Sequence, residues 1–111
     1  MDCLFCKFAR KDIPLDFVYE SDRVFAINDI DPQAPTHILI IPKNHFENAP
    51  ELANSEPATI AEIFSVAQQI SDERKLVSFR SVFNTGAGAG QSVFHAHLHL
   101  LGGRKFAWPP G

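Results

Sequence analysis

The segment VFHAHLHLLGG, Val93 to Gly103, sets His95, His97 and His99 at every second position, three of the five histidines in the chain. In a strand, residues two apart share a face, so the three imidazoles form one row while Ala96, Leu98 and Leu100 turn to the core. The strict alternation predicts a histidine face open to solvent or to a ligand. Three chemistries compete for it. One is a merely polar outer face, which Lys, Thr or Glu would furnish as well. The second is a three-histidine metal site. At about 3.3 Å of rise per residue, His95 and His99 stand roughly 13 Å apart, so adjacent pairs chelate one ion more readily than all three. The third divides the work, with His95 serving one site and His97 and His99 another.

The preceding segment favours the third. TGAGAGQS, Thr85 to Ser92, carries Gly86, Gly88 and Gly90, which let backbone N–H groups converge on an anion, and Gln91 and Ser92 add side-chain donors. In isolation an ordinary hairpin loop looks the same. Placed directly before a histidine face, it becomes an oxyanion-type cradle beside candidate nucleophiles.

These residues need elements to position them. Leu4, Phe5 and Phe8 form the stripe of a short helix with Asp2 as its N-cap. DFVYES and RVFAIND read as two strands around a turn at Ser21-Asp22. DIDPQAPTH is a rigid connection, and THILIIP is a buried β-branched strand. PKNHFENAPELANSEP reads as loop. Ile60, Ile63, Phe64, Ala67 and Ile70 then recur at helical spacing behind Pro57, the one long amphipathic helix. SFRSVFN is the fourth strand and VFHAHLHLL the fifth. The tail GGRKFAWPPG has no periodicity but holds the only tryptophan, Trp108. Short strands and tight turns predict an α+β fold: a five-stranded antiparallel sheet with two helices on one face, one domain over 1–111.

Composition narrows the function. The net charge is −3 and no Lys/Arg block occurs, which speaks against a nucleic-acid groove, while a small anion still suits amides and histidine. The N-terminus lacks the apolar run of a signal peptide, and no segment is long and apolar enough to span a bilayer. A soluble, cytoplasmic protein is expected. Ten phenylalanines in 111 residues leave apolar surface to spare, pointing to an oligomer. In that compartment Cys3 and Cys6, spaced C-x-x-C, suggest metal or redox chemistry before a disulfide.

HAHLHLL matches the H-φ-H-φ-H-φ-φ pattern of the histidine triad (HIT) superfamily. Together with DIDPQAPTHILIIPKNH, GQSVFHAHLHLLGGR and the closing WPPG, nearly the whole chain resembles its Hint branch, the histidine triad nucleotide-binding proteins. The resemblance implies a homodimer that joins two five-stranded sheets into a ten-stranded one. It implies binding of purine nucleotides and hydrolysis of nucleoside phosphoramidates, with His97 as nucleophile and a nucleotidyl-histidine intermediate. A neutral imidazole suits that role near pH 7, provided its far nitrogen keeps the proton, for which a backbone carbonyl is expected. The resemblance further implies that His99 and His37 contact the phosphate or its bridging group. Ser92 lies near the leaving amine. Asn84, Gln91 and the Gly90 backbone hold phosphate oxygens, and Asp29 accepts from the ribose hydroxyls. Leu4, Phe5, Phe8, Ile27 and Ile30 make the base pocket, and Trp108 reaches toward the partner's site.

A second site follows. Cys3 and Cys6 face one direction on the first helix, and by themselves a buried or redox pair explains them equally well. With His45 and His95 they complete a Cys2His2 set, and some bacterial relatives resembling this chain bind zinc at these positions. Four protein ligands make such a zinc structural. Two other functions compete with phosphoramidate hydrolysis. One is dinucleoside polyphosphate hydrolysis, disfavoured by the absence of a Lys/Arg cluster beside the glycine loop. The other is a nucleotide-binding regulatory protein whose hydrolysis is incidental.

Overall fold

In a computed structural model describing residues 3–111, the five strands are β1 (Tyr19–Glu20), β2 (Val24–Asn28), β3 (Thr36–Pro42), β4 (Phe79–Val82) and β5 (Leu98–Gly102). They pair antiparallel in the order β1-β2-β3-β5-β4, so the histidine strand lies inside the sheet and β4 at its edge. The helices are α1 (Leu4–Ala9), α2 (Ala49–Ser55) and α3 (Pro57–Glu73). The N-cap assigned to Asp2 lies outside the described residues; Cys3 takes the position before α1 without a side-chain cap bond.

Alternation sorts each central strand between two cores. Val24, Ala26, Ile38, Ile40, Leu98 and Leu100 pack with Ile63, Val66, Ala67 and Ile70 of α3. Phe25, Ile27, Leu39 and Ile41 pack with Phe5 of α1 on the opposite face. The sheet is therefore covered on both sides, not on one as the pattern of elements suggested. This is why all seven residues of β3 are buried and the strand reads as a continuous apolar run.

Three other expectations need correction. The segment before Pro57 contains a further helix, α2. It was illegible because its seven residues carry few apolar positions; Asn48 starts it by accepting from the Glu51 amide at 3.0 Å, with Pro50 in the first turn. Phe64 belongs to the helical stripe by spacing but is half exposed, with Val66 buried in its place. The fifth strand begins at Leu98, not Val93. His95 lies in a bend, where the Ala96 amide donates to the Phe46 carbonyl at 2.7 Å instead of to a strand.

Leu98 is wholly buried and pins the start of β5 against Ile40. Leu98→Ala is expected to cost about 2–5 kcal/mol, and Asn48→Ala about 1 kcal/mol through the lost cap. Chemical denaturation of the two variants measures both.

Candidate functional site

The histidine row keeps its common side but is not open. His95 is fully buried and His97 is 8% exposed, because Phe5 of α1 covers both rings, meeting His97 edge-on at 5.0 Å. The covering helix shapes a cavity of about 250 Å³ whose walls bring together Leu4, Phe5, Phe8, Ile27, Asp29 and Ile30 with Ser92, His97 and His99. All nine were expected to act together from sequence. Asn28, Leu39 and Val93 complete the wall and were not foreseen. Leu39 is two residues beyond His37 on the same face of β3, so the period of the strand already contained it.

Backbone groups assign the histidine protons. A carbonyl only accepts, so a ring nitrogen bonded to one must carry hydrogen. His97 Nδ1 donates to the His95 carbonyl at 2.8 Å, which leaves the lone pair on Nε2. His95 Nε2 donates to the Pro42 carbonyl at 2.7 Å, which leaves its lone pair on Nδ1. At His37 the sense reverses. The Gln33 amide donates to Nδ1 at 3.0 Å, so Nε2 carries the proton and donates to His99 Nδ1 at 2.9 Å. His99 in turn must hold its proton on Nε2. The row thus offers one nucleophilic nitrogen at His97 and one N–H donor at His99, their rings 4.9 Å apart. Burial holds His97 below the ordinary histidine range, and burial, then the neighbouring His97 and His37, hold His99 down to about 4.

His37 lies one ring behind His99, and its Nε2 is also 3.4 Å from Asp29 Oδ2. Its two nitrogens are taken by Gln33 and His99, so it orients His99 and fixes that ring's tautomer by donating to Nδ1. Asp29 Oδ1 accepts from the Asp31 amide at 2.8 Å, so the carboxylate also braces its own turn. Asp31 is exposed and lines no described cavity wall with it.

The glycine loop is more committed than its composition suggests. Gly86 and Gly90 take φ of +90° and +97°, which require glycine, around a single 3₁₀ turn. The Gly90 amide donates to Ala87 O and the Gln91 amide to Gly86 O. The Gln91 side chain accepts from Gly86 N at 2.8 Å and donates to Glu47 O and Val93 O. Gly90 and Gln91 therefore build the loop instead of presenting donors from it. Within the segment Gly90–Val93, the amides of Ser92 and Val93 are the ones without an acceptor among the described residues, and both residues line the cavity. Asn84 stands beside Gly90, on the far side of His99.

That far side is a second cavity of about 290 Å³, which His99 and His37 share with Asn84, Arg80, Arg104 and Phe106. The fold brings two cations together on this cavity, beside His99 and not on the glycine loop. Arg80 pairs opposite Leu101 on β5, which puts it on the His99 face, and Arg104 arrives from beyond the strand end. The two are 24 positions apart, so no local pattern joins them. Trp108 is 83% exposed and reaches neither cavity of its own chain.

Cys3, Cys6, His45 and His95 converge at the other end of the row. His95 Nδ1 is 3.4 Å from Cys3 Sγ, 3.5 Å from Cys6 Sγ and 3.1 Å from His45 Nδ1, and Cys6 Sγ is 3.4 Å from His45 Nδ1. Zn–N bonds of about 2.05 Å and Zn–S bonds of about 2.3 Å at tetrahedral angles set ligands about 3.3–3.8 Å apart, so the four donors fit zinc. The Pro42 carbonyl supplies the outer hydrogen bond that aims a ligating imidazole. Burial, then the adjacent Cys3, push the Cys6 thiol up in the absence of a cation. A second group, Asp29, His37 and His99, is as close-set but does not suit a metal. The Gln33 amide holds the His37 lone pair on Nδ1, away from the other two.

The family model for the HIT domain matches residues 10–106. The chain is 44% identical over 111 residues to an uncharacterized HIT-like protein of Synechococcus elongatus, covering 99% of this chain and 97% of that protein. It is 45% identical over 112 residues to a 14 kDa zinc-binding protein of Zea mays, covering 97% and 87%. A crystal structure of a HIT family hydrolase from Legionella pneumophila superposes with a TM-score of 0.94 at 45% identity, covering 99% of this chain and all of that one.

His99 generates a pH dependence. Its folded value of about 4 lies below the unfolded value near 6.5, so the unfolded chain binds more protons between the two. Stability is expected to fall as the pH drops from about 6.5 toward 4. Denaturation midpoints of the metal-free protein at pH 7 and pH 5 read this, and His99→Gln is expected to reduce the difference in part, since burial also holds His95 down to about 4 and His97 below its ordinary range.

Proposed function

The chain belongs to the HIT domain family, and on that premise we propose that it hydrolyses purine nucleoside phosphoramidates through a nucleotidyl-His97 intermediate. The observation that carries this reading is the bond from His97 Nδ1 to the His95 carbonyl, which leaves Nε2 as an unprotonated nucleophile at a cavity of nucleoside size. The base lies between Leu4, Phe5, Phe8, Ile27 and Ile30, and Asp29 accepts from the ribose hydroxyls. The amides of Ser92 and Val93 and the His99 Nε2–H hold the phosphate oxygens, with Asn84 beyond them. His37 positions His99.

The reaction has two displacements. His97 Nε2 bonds to phosphorus as the P–N bond breaks, and the departing amine takes up one proton from solvent, for which the Ser92 hydroxyl on the cavity wall is a relay. Water then attacks phosphorus, the P–Nε2 bond breaks, and nucleoside monophosphate leaves with the imidazole restored. One water is consumed overall. His97→Ala is expected to lower kcat/KM for an adenylate–amine conjugate at least about a thousandfold while nucleotide binding persists. Wild-type protein quenched in alkaline denaturant, which preserves the acid-labile P–N bond, should carry an adenylyl group on His97 by mass spectrometry. Full activity in the variant, with no such adduct, overturns the mechanism.

The same reading makes the Cys2His2 cluster a structural zinc site and the protein a homodimer. Zinc held by Cys3, Cys6, His45 and His95 ties α1, and with it the base pocket, to the segment that carries His97. Metal analysis should find one zinc per chain. Cys6→Ser should lose it, lower the thermal midpoint and weaken nucleotide binding together. The dimer is supported by the open edge of β4 and by half-exposed Phe64, whose ring sits 6.1 Å from Phe83. In such a dimer exposed Trp108 serves the partner's site. No helix among the described residues is long and apolar enough to cross a membrane.

A further inference from the structure

The second cavity has a feature that the reaction so far leaves unused. Arg80 and Arg104 both pack over one ring, their Cζ atoms 5.1 and 4.2 Å from the Phe106 centroid. Backbone carbonyls hold both in place: Arg80 Nη2 donates to Ala107 O at 3.0 Å, and Arg104 donates from Nε to Gln33 O at 2.9 Å and from Nη1 to Lys105 O at 3.0 Å. Carbonyls orient a guanidinium without neutralising it. Among the described residues neither arginine forms an ion pair with a carboxylate, unlike Arg10 and Arg23. Two like charges gathered around one ring repel each other, and each retains N–H groups without an acceptor in the chain. The arrangement is preorganised for an oxyanion.

Its place relative to the chemistry follows from the row. The first cavity touches His97 and His99; the second touches His99 and His37. A phosphorus attacked by His97 and held at His99 sends its leaving group away from His97, in line, which is into the second cavity. We propose that this cavity is a leaving-group subsite for an anion, and that the preferred substrates are nucleotide conjugates whose leaving group carries an oxyanion a few atoms from the scissile bond. The subsite rests on the phosphoramidase reading for the identity of the reaction, not for its charge preference. Carboxylate and phosphate share the required chemistry, so an acidic amine and a polyphosphate are the two sources to distinguish.

The test compares the adenosine 5′-phosphoramidates of β-alanine and of its carboxamide, which differ in charge at one position, with diadenosine triphosphate as a third substrate. The expected result is a kcat/KM ratio of tenfold or more for the carboxylate over the carboxamide. In Arg80→Gln and Arg104→Gln the ratio falls toward one, and Arg104→Lys retains part of it. A wild-type ratio of one or below, or a ratio that both glutamine variants leave intact, overturns the proposal. Faster turnover of diadenosine triphosphate than of the β-alanine conjugate identifies polyphosphate as the source and also supports the subsite. Should neither phosphoramidate turn over, the phosphoramidase reading fails, and binding to the His97→Ala protein decides the subsite separately. Tighter binding of the carboxylate conjugate, lost in the added Arg104→Gln change, supports it; equal binding of the two conjugates overturns it.

Discussion

Two backbone carbonyls determine what the histidine row is for. The carbonyl of Pro42 binds the Nε2–H of His95, and the carbonyl of His95 binds the Nδ1–H of His97. The rings are two residues apart and chemically identical, yet they expose opposite nitrogens. One presents Nδ1 to two thiols and a second imidazole, the other keeps Nε2 unprotonated at a cavity. An imidazole free to exchange tautomers would serve as ligand or nucleophile only part of the time. A carbonyl that can do nothing but accept removes that freedom.

Helix α1 couples the two ends of the row. Its six residues begin right after Cys3, include Cys6, and cover His95 and His97 with Phe5. So short a helix has little stability alone and depends on its contacts. Phe5 packs into the apolar face of the sheet, and the two sulfur atoms anchor the other side of the turn against His45 and His95. The first cavity exists because this helix is held there, so its walls and the Cys2His2 cluster share one support.

Much of this was legible in the chain. The row of histidines and the Cys3–Cys6 pair follow from residue types at short spacing; His45, 39 positions beyond Cys6, and the nine residues of the first cavity were expected from the resemblance to the HIT superfamily. The glycine loop lies beside the histidine row as its place in the chain suggested, but its donors are not the expected ones. Its composition says that amides converge; only the folded loop shows that Gly90 and Gln91 use theirs internally, leaving Ser92 and Val93. Helix α2 escaped because its seven residues, with Leu52 the one large apolar side chain, are too few to show a period.

Local order along the chain determined which faces are apolar, where strands and the long helix run, and which side chains have chemistry to offer. Period-two and period-3.6 alternation are properties of neighbouring residues, so they survive in a linear text. The tertiary structure alone decided that helices cover both faces of the sheet, that the histidine row lies beneath one of them, and which nitrogen of each ring carries hydrogen. It also decided that Arg80 and Arg104 meet around Phe106 behind His99. Those outcomes depend on acceptors and charges brought together from distant positions, and no spacing encodes them.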